Sequence, residues 1–443
     1  MDHAIARALA SGALTLACLA PGTLRADPAG AAPPNPTGAL RLVDALAAAL
    51  AASPEIEAQD HELRASESAV LQARFRPSPE LQLEVDDWAG SGSYQGLGGS
   101  ESTLRIGQLV ELGGKRLARV RAAEGQRAVA AIDRELARLD VLVQTADAFV
   151  DLVEAQERVH LREAAAAQAA ALLEAAERRE RAGAGAPAEA SRFRVEHATA
   201  RVAGERAERD LAAARLRLAA RWGASDAAFE SARGDLAHTS AIPELGSLTQ
   251  RIDTSPDLAW WSAELAARAG ALELARSRAL PDVRVGPGVR YYAEGDDAAL
   301  VLGASVPLPI WDRNQGGIAE ARHRLARADA LRRASLLRVR AALADAHARA
   351  RAAREEAEGL ARSALPGAEA GEREVLAAYE RGRLGALDVI EARRATLALR
   401  EDRVRALAEH HRAVSQLERL LGAPLHDTPR LDTAPGTGAG GPR

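Results

Sequence analysis

The chain is short of cysteine, aromatic residues, lysine and long apolar runs, and each shortage removes a class of protein. Cys18 is the only cysteine in 443 residues, which excludes a disulfide framework. Aromatics make up 3% of the chain against 47% hydrophobic residues, so the apolar content is mainly Ala, Leu and Val. Such small side chains suit thin helical seams better than a thick core. Lys115 is the only lysine, and a formal net charge of -4 leaves no strong field for nucleic acid. Past the N-terminus no uncharged run approaches the roughly 20 apolar residues that a membrane-spanning helix needs. Any membrane insertion must therefore use strands. The ten histidines are scattered. Only His410 and His411 adjoin, about 100° apart on a helix, so neither a stored metal nor a cofactor is expected. No Ser/His/Asp set, phosphate loop or Gly-rich nucleotide fingerprint stands in a suitable context, and the sequence does not read as an enzyme.

The first 26 residues have the form of an export signal. Arg7 precedes an apolar stretch from Leu9 to Ala20, and Leu24-Arg25-Ala26 offers a small-residue cleavage site before Asp27. Cys18 lies inside this segment. It is a candidate lipidation site, although Thr15-Leu16-Ala17 matches a lipoprotein signal poorly. Residues 27–38 and the tail 423–443 are rich in Pro, Gly and Ala and are expected to be disordered.

What is present is said twice. Ser53-Pro54-Glu55-Ile56 returns 202 residues later as Ser255-Pro256-Asp257-Leu258, and Pro79-Glu80 as Pro281-Asp282. Gly183 and Trp222-Gly223 return 199 residues later as Gly382 and Leu421-Gly422. The chain is therefore read as two repeats, 39–223 and 244–422, joined by a linker at 224–243. Each repeat runs helix, two strands, long helix, turn, helix.

A helix is expected over 42–75. A period of two follows, with Leu81, Leu83 and Val85 alternating against Glu80, Gln82, Glu84 and Asp86. A Gly/Ser-rich turn leads to a second run carrying Leu104, Ile106, Val110 and Leu112, giving a β-hairpin at 79–112. Its duplicate, 281–311, carries Val283, Val285 and Val289, then Leu300, Leu302, Val306, Leu308 and Ile310. Pro287, Pro307 and Pro309 oppose strand pairing locally. Four strands cannot close a barrel, and open edges are forbidden in lipid, so closure needs several copies; three would supply about twelve strands. Trp88, Tyr94, Tyr291, Tyr292 and Trp311 fall near strand ends, where interfacial aromatics belong.

Long helical hairpins are expected at 115–222 and 315–421. No proline interrupts Lys115 to Ala182. Val129, Ile132, Leu136, Leu139, Val143, Ala146, Val150 and Val153 mark a narrow heptad seam. A helix of this kind is stable only when packed lengthwise against others.

Together the duplication, hairpins and Gly-centred turns resemble the outer-membrane efflux protein (TolC-like) family. The segments Glu111-Leu112-Gly113-Gly114-Lys115-Arg116 and Pro307 to Gly316 resemble its heavy-metal cation branch. The resemblance implies a mainly α fold with a small β part: a homotrimer whose helices form a periplasmic tunnel under a shared 12-stranded barrel in the outer membrane. It implies a passive exit duct, partnered by a periplasmic adaptor and an inner-membrane transporter of the RND type. An organic-compound duct of the same family is the alternative, with a periplasmic adaptor or a coiled-coil scaffold behind it. Tyr379 to Leu384 matches the family's periplasmic turn, and Arg181 to Ala184 is its duplicate. Arg181, Gly183, Arg381, Gly382, Arg383 and Leu384 are thereby implied as adaptor-contacting tips. Asp388 and Glu391 are implied as a carboxylate gate, with Glu189 as the first-half counterpart and Tyr379 beside it.

Overall fold

The computed structural model describes residues 35–92 and 95–425. The expected export signal, Cys18, Tyr94 and most of the two terminal segments lie outside them. The first strand, β1 (Gly38–Arg41), leads into helices α1 (Leu42–Ala52) and α2 (Pro54–Arg74). The single helix expected over 42–75 is thus broken at Ser53, whose backbone is extended at φ -66° and ψ 123°. Proline disfavours the helical conformation at the residue before it, yet fits the first position of the helix that follows. Ser255 and Pro256 repeat this device at the start of α6 (Pro256–Ser277).

Two further expectations change at the waist of the molecule. The segment 224–243 is more than a linker, because it holds strand β4 (Phe229–Arg233), which pairs in parallel with β1. Gly38, placed in the disordered segment by composition, opens β1, and the Asn35 side chain donates to the Asp226 carbonyl at 3.2 Å. Strands of four and five residues are too short to show a period. They are held by burial. Phe149, Trp222 and Phe229 are fully buried with Leu40, Leu152 and Leu218 in one core, and the Trp222 and Phe229 rings lie 6.0 Å apart. Each large aromatic buries roughly 150–250 Å², far more than an alanine can, so these few rings anchor the core. A second core, around Leu248, Ile252, Leu343 and Leu417, serves the second repeat and includes α5 (Leu245–Gln250).

The four remaining strands, β2 (Glu80–Asp86), β3 (Glu101–Val110), β5 (Val283–Tyr292) and β6 (Asp297–Ser305), form one antiparallel sheet in the order β2-β3-β5-β6. The run from Val306 to Ile310, expected to continue the last strand, leaves the sheet, since Pro307 and Pro309 have no N–H to donate. Pro287 stays within β5, and there the ladder to β3 skips from Gly288 to Val285. Neighbouring Gly286 is obligatory: a Cβ would stand 2.7 Å from the Ile106 carbonyl oxygen.

Register sorts the side chains cleanly. Leu81 pairs with Ile106, Leu83 with Leu104, Leu104 with Val289, and Val289 with Leu300. Paired residues share a face, so one face is apolar across all four strands and exposed, with Leu300 and Leu302 at 88% and 82% accessibility. The other face carries Glu80, Glu84, Glu101, Arg105, Arg284 and Arg290, with Glu101 paired to Arg290 at 2.7 Å. Trp88 flanks the hairpin-turn end and Trp311 the opposite end, both exposed. Edges β2 and β6 have no strand partner among the described residues.

Beyond the sheet, α3 (Lys115–Arg181) runs unbroken for 67 residues, about 100 Å. It turns into α4 (Pro187–Ala219). The second repeat answers with α7 (Gln315–Gly359), a π-helical turn at Leu360–Ala364, α8 (Leu365–Glu380) and α9 (Ala386–Leu421). The two hairpins are stitched across α3 and α9. Arg162 meets Glu401 at 2.6 Å, Arg412 meets Asp151 at 2.9 Å, and Arg419 reaches both Asp140 and Asp257. No helix among the described residues is long and apolar enough to cross a membrane.

Candidate functional site at the hairpin tips

The two helical turns farthest along the sequence from the sheet strands are built alike. At the first, Ala182, Gly183 and Ala184 donate backbone N–H groups to the carbonyls of Arg178, Glu180 and Arg179. At the second, Arg381, Gly382 and Arg383 donate to Ala377, Tyr379 and Ala378. Gly183 and Gly382 take the left-handed conformation, with φ of 70° and 72°. That conformation closes off the last carbonyls of a helix, and glycine adopts it without penalty. Arg181, Arg381, Arg383 and Leu384 are left exposed on these turns.

Glu189 and Asp388 hold matching third positions of α4 and α9, where the helix dipole favours a carboxylate. Asp388 spends one oxygen on its own helix, accepting the Gly385 N–H at 2.8 Å. Glu391 stands exposed one turn on, and neither acid forms an ion pair among the described residues. Glu391 pulls on Arg394 through space, but that guanidinium is paired with Glu196.

Glu189 belongs to a different grouping. Arg179 approaches it at 3.5 Å and lies over the Tyr379 ring, 5.4 Å from its centre. Tyr379 packs edge-on against Phe193 at 5.8 Å, inside a small core with Ala176, Ala190, Ala386, Val389 and Ile390. Its hydroxyl is buried beside the Glu189 carboxylate without reaching hydrogen-bond geometry. Burial first, then that carboxylate, push its pKa up to about 12. Of the residues implied from sequence, Tyr379 and Glu189 are thus brought together, while Asp388 and Glu391 form a separate exposed pair. Arg179 and Phe193 were not foreseen. Phe193 is one of only four phenylalanines, which is the signal that could have marked it.

Where strand hands over to helix, Gly114 and Asn314 both adopt left-handed conformations, at φ 70° and 57°, just before α3 and α7. Lys115 ties this junction across the repeats, meeting Asp282 at 2.7 Å.

Paired helical hairpins, duplicated within the chain, and a four-stranded sheet that is apolar on one face and charged on the other define the class of fold. The family model described as Outer membrane efflux protein matches residues 45–224 and 248–423, and the chain belongs to that family. It is 35% identical over 289 residues to the cobalt-zinc-cadmium resistance protein CzcC of Cupriavidus metallidurans, covering 65% of this chain and 68% of that protein. It is 28% identical over 307 residues to the nickel-cobalt-cadmium resistance protein NccC of Alcaligenes xylosoxydans xylosoxydans, covering 66% of this chain and 68% of that one. Among solved structures it is similar to CusC, with a TM-score of 0.74 at 15% identity over 86% of this chain and 92% of CusC.

Proposed function

We propose that the chain is the outer-membrane channel of a tripartite export system, a passive exit duct for heavy-metal cations. The observation that carries this reading is the four-stranded sheet, apolar and exposed on one face, whose two edges have no strand partner among the described residues. An unpaired strand edge cannot rest in hydrocarbon, because each bare N–H and C=O there costs several kcal/mol. Joining β2 of one copy to β6 of the next in a homotrimer removes every edge and encloses a polar lumen. Four strands from each copy make a barrel of twelve. The metal assignment draws support from the relatives named for cobalt, zinc, cadmium and nickel resistance.

At the far end, Asp388 and Glu391 from each copy form the gate. Carboxylates gathered around a threefold axis attract cations and repel one another, so the mouth is charge-controlled. Tyr379 and Glu189 brace the two tips against each other, and Arg181, Gly183, Arg381, Gly382, Arg383 and Leu384 face a periplasmic adaptor that links the duct to an inner-membrane RND pump.

Cell fractionation with chemical cross-linking tests the architecture: the chain is expected in detergent extracts of outer membranes as a species of three copies, and a water-soluble monomer refutes it. Deleting the gene is expected to sensitise cells to zinc, cobalt, cadmium or nickel. Unchanged metal tolerance with new sensitivity to organic compounds assigns the duct to the other substrate class.

A further inference from the structure

A cavity of about 800 Å³ lies against the charged face of the sheet, bordered by the segments 278–282 and 307–312. Four cationic side chains line it: Arg105, Lys115, Arg278 and Arg284. Two of them are satisfied within the fold. Lys115 is held by Asp282 at 2.7 Å, and Arg284 is paired with Glu80. Arg105 and Arg278 have no ion pair and no side-chain hydrogen bond among the described residues. Arg278 stands exposed at the rim, whereas the Nε of Arg105 is sealed from solvent with no acceptor.

The floor beneath Arg105 is glycine. A Cβ at Gly303 would stand 3.2 Å from the Arg105 guanidinium carbon, and one at Gly286 would meet its side chain at 3.1 Å. Glycine at these positions lets the guanidinium lie flat on the sheet and leaves open space above it. The bordering carboxylates do not neutralise it. Asp282 is committed to Lys115 and to the Leu112 N–H at 3.1 Å, and Asp312 accepts the Asn314 N–H at 2.8 Å.

A half-buried guanidinium on a cavity wall with no carboxylate partner among the described residues keeps an uncompensated charge, which an anion entering the cavity offsets. Planar, forked guanidinium groups match the oxygens of phosphate and carboxylate, with which they form short charge-assisted hydrogen bonds. We propose that this cavity binds an oxyanion of that kind, with Arg105 as the principal contact and Arg278 as the second. Every lining residue comes from one chain. The site therefore goes beyond the exit-duct reading, and binding by the isolated folded chain stands whether or not three copies close a barrel.

Isothermal titration of the detergent-solubilised full-length chain with inorganic phosphate, and separately with succinate, tests this at ionic strength matched with chloride. Saturable binding of one or both is expected, and the two arms separate a phosphate site from a carboxylate site. Arg105→Gln is expected to weaken it by roughly tenfold or more, the loss of one charged hydrogen-bond donor. Arg278→Gln weakens it less, and Arg333→Gln, on exposed α7 surface, leaves it unchanged. Heat no greater than chloride gives for both anions overturns the proposal, as does unaltered affinity in Arg105→Gln. Should that variant fail to fold, unaltered affinity in Arg278→Gln overturns it.

Discussion

Burial and the Glu189 carboxylate keep the Tyr379 phenol neutral well beyond the usual range, so its ring acts at physiological pH as an apolar brace with an idle hydroxyl. Tyr379→Phe is therefore expected to leave the tips as well protected as before. Phe193→Ala removes the partner ring and opens a hole, a loss of about 3–5 kcal/mol by comparison with other core aromatics. Hydrogen exchange at the amides of 182–184 and 381–383 separates the two outcomes. Asp147 makes the opposite case. It sits on α3 with one carboxylate oxygen buried and lacking a hydrogen-bond donor. Burial first, then Asp151 and Glu409, raise its pKa to about 6, with Arg412 and Arg221 pulling the other way. The folded chain thus holds a proton more tightly than the unfolded one. Stability is expected to fall as pH rises from the usual carboxylate range through about 6, and to recover on acidification. Asp147→Asn should flatten that dependence and add about 1–2 kcal/mol at neutral pH, a figure discounted for partial solvent access. Thermal unfolding in detergent across that pH range checks both statements.

Helices and strands differ in how openly they announced themselves. The alternation of Leu81, Leu83 and Val85, and the proline-free run from Lys115, specify their elements because period and length are local properties. The glycine turns are legible for the same reason, since Gly183 and Gly382 carry a conformation other residues resist. Gly382→Val is expected to destabilise its tip by about 1–2 kcal/mol, the penalty for a side chain at positive φ, seen as raised exchange of the Arg381 and Arg383 amides. The parallel pairing of β1 with β4 was hidden, because its strands are short and lie almost two hundred positions apart. The Arg179 contact to Tyr379 was hidden likewise: which face of one hairpin meets the other depends on packing rather than on period. The π-helical turn at Leu360–Ala364 had no local signature beyond Pro366 after it. It distinguishes the second hairpin from the unbroken first one, and such turns are frequent at functional sites. Deleting one residue there restores ordinary helical spacing and is expected to slow exchange in α8 while leaving α3 unchanged.

For the whole molecule, the division of labour follows the two faces of one sheet and the two ends of four long helices. A charge on the apolar face is costly if that face meets lipid. Leu302→Arg is expected to cost about 2–4 kcal/mol near the bilayer midplane and to lower the amount of chain recovered in outer-membrane fractions. The exchange Arg333→Gln on exposed helix should not.

The borders of β2 and β6, unmatched among the described residues, also bear on inheritance. If sister molecules complete the ring as proposed, it is only as sound as its worst member. A chain damaged along one border but still able to dock by the other enters assemblies with healthy copies and spoils them. Lesions there should show themselves even when an intact gene is present, whereas lesions confined to the waist simply remove the faulty chain.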